Sequence, residues 1–198
     1  SGALPDAGAC LAKTLGWLLI TFGTWWLASV RWLSFTRGSI TVAAIVLFLV
    51  GGLLFMRRPE LRLAMLRGWK FAVAGEVLFF VAFFAFLLIR MANPDTWHLW
   101  RGGERPMELA YINGMLRSAF FPPFDPWLSG TYNNYYYFGL AMLAVAFRWT
   151  SIVPTTGWNL ADPTLFGLTA EAAFGIGVAI AAGIRRETTT GVTTPPMA

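Results

Sequence analysis

Charge is what this sequence is short of. Charged residues make up 13% of it, where an ordinary soluble domain carries about 25%. A chain so poor in charge and 57% hydrophobic does not read as a soluble globule. Cysteine is almost missing: Cys10 stands alone, which excludes an internal disulfide and leaves the redox compartment open. Histidine occurs once, at His98, and neither an HExxH nor a CxxC string is present, so no metal motif is read from the sequence. The net charge of +5 is no nucleic-acid footprint. Most Lys and Arg residues sit at the ends of apolar runs, where membrane topology puts them.

What is abundant is apolar sequence, in blocks about as long as a bilayer is thick. Five blocks are expected to be transmembrane helices: 11–30, 39–56, 71–90, 135–152 and 164–184. The fold class is therefore all-α, a polytopic membrane helical bundle. Lys13 and Arg31 flank the first block, and Trp25, Trp26 and Trp32 suit an interfacial belt. Residues 57–70 carry Arg57, Arg58, Arg62, Arg67 and Lys70 against Glu60. That is the strongest orientation signal; it puts this segment on the cytoplasmic side, as a short helix along the headgroups.

Further expectations follow from that frame. Glu76 should reach the interface or pair with Arg67 or Lys70. Arg148 falls near a cytoplasmic end, whereas Arg185 and Arg186 fall outside, against the rule. In the last block Gly175, Ala179 and Gly183 form a small-xxx-small face for another helix. Glu171 lies at mid-depth and should face protein or a wet cavity. Residues 185–198 read as a disordered tail. The whole of 1–198 reads as a single membrane domain, a fragment of something longer.

Between the third and fourth blocks lies a polar loop, residues 92–134, expected on the outer face. Long loops of this kind are more often functional than decorative. Arg105-Pro106-Met107-Glu108 is a good helix start, with Pro in the first turn and Glu where the helix N-terminus favours it. The expected surface helix, 106–118, is amphipathic and lies flat on the membrane. Pro122, Pro123 and Pro126 then hold an extended path. Glu104 and Glu108 could converge at the mouth of a cavity whose other wall carries Asp125 or Asp95. Such a cluster suits a general base or, as a possible cofactor, a divalent cation held by oxygens. The plainer reading is a helix cap with rim salt bridges to Arg101, Arg105 and Arg117. His98, between Trp97 and Trp100, reads as an interfacial residue. Tyr132 and Tyr135-Tyr136-Tyr137 read as an aromatic belt. Three successive tyrosines on a helix point about 100° apart, so at least one should offer its hydroxyl to a ligand.

Several strings in this loop resemble a known family. They are Gly102-Gly103-Glu104-Arg105-Pro106-Met107-Glu108, Phe121-Pro122-Pro123-Phe124-Asp125-Pro126-Trp127 and Tyr135-Tyr136-Tyr137-Phe138-Gly139. They resemble the large "YYY" membrane proteins, a domain of unknown function in archaea and some bacteria. The likeness covers nearly all of 1–184. It implies a prokaryotic cell membrane, contact with membrane lipid, and a parent protein whose remaining C-terminal helices are partners of this chain.

That family in turn is similar to the GT-C glycosyltransferases, which pass a sugar from a polyprenyl-phosphate carrier to an acceptor on the outer face. The likeness implies a catalytic carboxylate just ahead of the surface helix. Glu104 matches that position and Glu108 comes second, although the adjacent Asp-Glu pair usual in GT-C enzymes is missing here. Arg101, Arg105 and Arg117 would offset phosphate charge. Asp95, His98, Asp125, Trp127, Tyr132 and Tyr135–Tyr137 would line the substrate. Two other classes stay open: a transporter or flippase of lipid-linked substrates with Glu76 and Glu171 along its path, and a non-catalytic scaffold subunit.

Overall fold

A computed structural model describes residues 4–95 and 103–190, with side chains as far as Arg185. The described regular structure is helical, apart from one isolated bridge between Phe124 and Tyr132. In chain order the helices are α1 (Ala9–Ser29), α2 (Arg37–Arg57), α3 (Pro59–Ala92), α4 (Arg105–Arg117), α5 (Phe138–Thr150) and α6 (Pro154–Thr190). Among the described residues α2, α3 and α6 are long and apolar enough to cross a membrane.

Helix α1 has 21 residues and is built inside out. Leu15, Leu18, Leu19, Phe22 and Trp26 are exposed, while Cys10, Thr21, Thr24 and Ala28 are buried. A helix in lipid turns its polar side chains toward protein, because nothing in hydrocarbon can hydrogen-bond them. Helix α2 is bare by contrast: its buried residues are Ser39 and Ile40, next to a capping box in which Thr36 and Ser39 satisfy each other's backbone amides.

The long pair α3 and α6 forms the spine. Arg90 meets Asp162, Phe86 meets Phe166, and a Cβ on Gly75 would lie 3.5 Å from Glu171. As one number falls the other rises, so α6 runs antiparallel to α3. Close approach comes from small residues: Gly68, Gly75 and Ala82 are buried on α3, and Gly167 and Gly175 on α6. The stripe in use on α6 is therefore Gly167–Glu171–Gly175. Beyond Gly175 the expected face is not closely packed, since a Cβ at Gly183 would meet nothing within 4 Å.

The expected span 11–30, largely α1, is not among the described helices long and apolar enough to cross a membrane, and three further elements are revised. The basic segment 57–70 is not a separate surface helix, because Pro59 opens α3 and the helix runs on without a break for 34 residues. The block 135–152 is helical only over Phe138–Thr150, 13 residues, about 20 Å against a hydrocarbon core of about 30 Å. Both ends of α5 lie beside the α1–α2 turn. Phe138 packs edge-on against Trp25, and the Trp149 indole donates to Thr41 Oγ1 at 3.2 Å. Arg148 thus sits at the loop end of the bundle, with its guanidinium over the Phe35 ring and donating to the Met115 and Leu116 carbonyls. Those carbonyls end α4, where the Met115 carbonyl also accepts the Ser118 amide at 3.1 Å and Arg148 supplies a donor for Leu116. Finally, α6 stays helical to Thr190, past the start of the expected tail.

Helix α4 keeps nearly its expected bounds and packs its apolar face into protein. Tyr111, Ile112 and Met115 sink into a core shared with Phe35, Phe121, Phe147 and Trp158. Leu109 and Leu116 are partly buried against the same core.

Candidate functional site

Three elements meet at the loop end: the last turn of α3, the first turn of α4 and the third turn of α6. Pro106 starts α4 with Glu104 as its N-cap and Glu108 in its first turn. Arg90 is buried, and its Nη1 donates to the Asn93 carbonyl at 3.2 Å, closing the end of α3. Asp162 Oδ2 is 3.9 Å from Arg90 Nε and 4.0 Å from Arg105 Nη2. These are loose ion pairs, held by charge and not by aligned hydrogen bonds.

Glu108, Arg105 and Asp162 form the mouth of a cleft of about 350 Å³ between α1, α4, α5 and α6. Its walls are apolar: Trp17, Leu140, Met142, Leu143, Trp158 and Leu165. The Trp17 indole is spent on the Met142 carbonyl at 2.9 Å, but the buried Trp158 Nε1 has no hydrogen-bond partner among the described residues. An unpaired buried donor costs about 1–3 kcal/mol, so a ligand oxygen in the cleft would relieve it. Partial burial, the Glu104 and Asp162 carboxylates push the Glu108 acid above its ordinary value of 4.5, against the pull of Arg105. A carboxylate raised in this way is suited to take a proton.

Glu104 lies on the exposed side of the same turn. Its Oε2 accepts from the Tyr135 hydroxyl at 3.3 Å, and Tyr135 Oη is 2.6 Å from Tyr136 Oη. With one proton to give, Tyr135 donates to the carboxylate and accepts from Tyr136. The Tyr136 hydroxyl, burial and the Glu104 carboxylate all push the Tyr135 phenol above its ordinary range.

The tyrosine run is not a helical belt. Tyr135 and Tyr136 precede α5 and stack on each other at 3.9 Å, and Tyr137 is the N-cap residue. Tyr137 turns inward, where its hydroxyl accepts from Trp25 Nε1 at 3.3 Å and its ring stacks on Phe121.

Asp125 does not join this cluster. It lies across α4 in a second hollow of about 970 Å³, with Arg31, Asn113, Arg117 and Tyr132. There its Oδ1 accepts the Trp127 and Leu128 amides at 2.7 and 3.2 Å, and Tyr132 stacks on Phe124. The expected single cavity walled by Glu104, Glu108 and Asp125 is thus divided by α4. Trp127 and Tyr136 are exposed, as is Asp95 in the coil after α3. His98 and Arg101 lie outside the described residues. Among the described residues no three His, Cys, Asp or Glu side chains converge as ligands for a cation.

Sequence reasoning missed Arg90, Asp162 and Trp158. Asp162-Pro163 inside an apolar run was the available signal for Asp162. Arg90 closes an apolar run and reads from sequence as a simple flank.

A second charged group lies inside the bundle. Lys13 Nζ is 2.9 Å from Glu76 Oε2 and 2.9 Å from Glu171 Oε2. Glu76 therefore pairs across helices with Lys13 and not with Arg67 or Lys70 on its own helix. Glu171 is 1% exposed and faces protein.

Fold and site together define a polytopic helical membrane protein with a charged cleft at one end. The model of a family of uncharacterised membrane proteins, DUF2298, matches residues 19–197, and the chain belongs to that family. Comparison with curated proteins and with solved structures gives no match.

Proposed function

We propose that this membrane protein is the N-terminal part of a GT-C-like glycosyltransferase that uses a polyprenyl-phosphate-linked sugar. The observation that carries the reading is the half-buried Glu108 at the mouth of an apolar cleft, flanked by Arg105 and Asp162. The apolar walls suit an isoprenoid chain, and Arg105 suits the phosphate that becomes the leaving group.

Glu108 takes the proton from an acceptor hydroxyl. The acceptor oxygen bonds to the anomeric carbon, the bond from that carbon to the phosphate oxygen breaks, and polyprenyl phosphate leaves. Glu104, hydrogen-bonded to Tyr135, sets the entrance. Base catalysis of this kind is worth about 10²–10⁴-fold.

The cleft belongs on the outer face of a prokaryotic cell membrane. With the basic segment 57–70 in the cytoplasm, an α6 antiparallel to α3 returns Arg185 to that same side, which supports this orientation. The bare flank of α2 would meet lipid or the further helices of a longer parent.

The test is transfer of radiolabelled sugar from a polyprenyl-phosphate donor by the purified parent protein in lipid. Glu108→Gln should lower the rate about 100-fold or more, and Glu104→Gln should lower it less. If both variants run at the parent rate, the assignment of the base is wrong.

A further inference from the structure

Four threonines on the other helices satisfy their own hydroxyls. Thr41, Thr150, Thr164 and Thr169 donate back to the carbonyl four residues earlier at 2.7–2.8 Å. On α1 the pattern fails. Thr14, Thr21 and Thr24 have buried hydroxyl oxygens with no hydrogen-bond partner among the described residues. All three belong to the inward face, which continues from Cys10 at steps of three and four residues to Ala28. Thr21 and Thr24 are 0% and 1% exposed. One unpaired hydroxyl is a local defect, whereas three on one face make a polar track through an apolar bundle. Small polar molecules along such a track would restore the lost hydrogen bonds.

At the far end of the track sits the triad. Glu76 and Glu171 together carry one negative charge more than Lys13 offsets. Glu171 Oε2 is within ion-pair distance of Lys13 Nζ but lacks an aligned hydrogen bond. An unbalanced charge in the apolar span of a bundle is expensive. Adding one proton makes the group neutral overall, with a carboxylic acid O–H as a new donor. The other titratable groups around Glu171 are Cys10 on α1 and Asp6 ahead of it. Asp6 is held by the Gly8 and Cys10 amides at 3.0 Å each. Glu76, half-exposed, opens the triad to the outside of the bundle.

We propose that Lys13, Glu76 and Glu171 form an exchangeable proton site, reached from the loop end along the Thr24–Thr21–Thr14 face of α1. A proton enters near the Trp25–Tyr137 contact, passes along water held by the hydroxyls and binds a carboxylate oxygen of the triad. Release reverses the step, with the O–H bond breaking and the proton leaving to water. The site stands whether or not the loop end transfers sugar.

The experiment is difference infrared spectroscopy on the whole chain in lipid nanodiscs. A carboxylic acid C=O band should grow on acidification, shift in D₂O and vanish in Glu171→Gln. The near-isosteric triple variant Thr14→Val, Thr21→Val, Thr24→Val should keep the band but slow its deuterium exchange about tenfold or more. If Glu171→Gln fails to fold, Glu76→Gln should move the band's titration midpoint. A band indifferent to both Glu variants would overturn the site. Exchange as fast in the triple variant as in the parent would overturn the path.

Discussion

The two charged clusters use the same side chains to opposite effect. At the loop end Asp162 stands 3.9 and 4.0 Å from two guanidinium groups, and Glu104 accepts from a tyrosine hydroxyl at 3.3 Å. Inside the bundle Lys13 touches two carboxylates at 2.9 Å each. Arg105, Glu108 and Asp162 border a cleft, so each can trade its partner for a ligand at little cost, while buried Arg90 anchors Asp162 from behind. In the triad Glu171 is buried, so losing its Lys13 partner strands a carboxylate away from water. Looseness marks a site that meets a substrate, and tightness marks one on which the packing itself depends.

The sharpest way to break this contrast is Lys13→Met. Removing one partner of a buried ion pair typically costs about 3–5 kcal/mol, here by stranding Glu171. Unfolding in detergent should show a loss of that size, and Lys13→Met with Glu171→Gln should recover part of it. The equivalent change at the loop end, Arg105→Met, removes a half-exposed partner and should cost under about 1 kcal/mol. Equal losses at the two places would erase the distinction.

Next in size come the glycines that let α1, α3 and α6 close around the triad. A Cβ at Gly75 would lie 2.6 Å from Cys10 Sγ, and one at Gly175 would lie 2.6 Å from Cys10 Cβ. Gly75→Ala and Gly175→Ala should therefore each destabilise by about 1–3 kcal/mol through overpacking. Gly177, two residues on and on the exposed side of α6 with nothing within 4 Å of its would-be Cβ, is the control. Gly177→Ala should stabilise by about 0.5–1 kcal/mol, since alanine is the better helix former.

The fold class was legible because lipid demands apolar runs of bilayer length, and those runs are unmistakable in composition. Direction was harder to read. The stretch 135–152 looks long enough to cross only if its tyrosines count as helix, and the Asn133 carboxamide instead accepts the Tyr135 amide in a turn at 2.8 Å. One miscounted crossing reverses everything after it, and the antiparallel run of α6 against α3 brings Arg185 toward the end of the bundle that carries residues 57–70. Pairings between helices were equally hidden. Lys13 reads as a flank and Glu76 as the neighbour of Lys70, and only packing brings them together with Glu171. At the site, Pro106 and the residues around it announced Glu104 and Glu108 through helix-start chemistry. Spacing alone could not tell on which side of α4 the chain returns, so Asp125 was grouped with carboxylates that it does not join.

The finest test concerns how far the loop-end cluster is strained by its own charge. Glu108 is raised above its ordinary value of 4.5 in the folded protein, so folding favours its acid form. The sign then follows from linkage. Its contribution to stability is fully present below the unfolded value and is lost as pH rises through the folded one. At neutral pH the ionised side chain works against the fold, while Gln at the same place does not titrate. Glu108→Gln should therefore unfold at a higher temperature than the parent at neutral pH, and the gap should close on acidification to about 4.5 and below. Solvent screens a half-exposed carboxylate, which keeps the difference under about 1 kcal/mol. Comparing the two proteins pH by pH cancels every other carboxylate. A gap that widens on acidification would mean that Glu108 is stabilised as an anion, and a stabilised anion is a poor base for the acceptor hydroxyl.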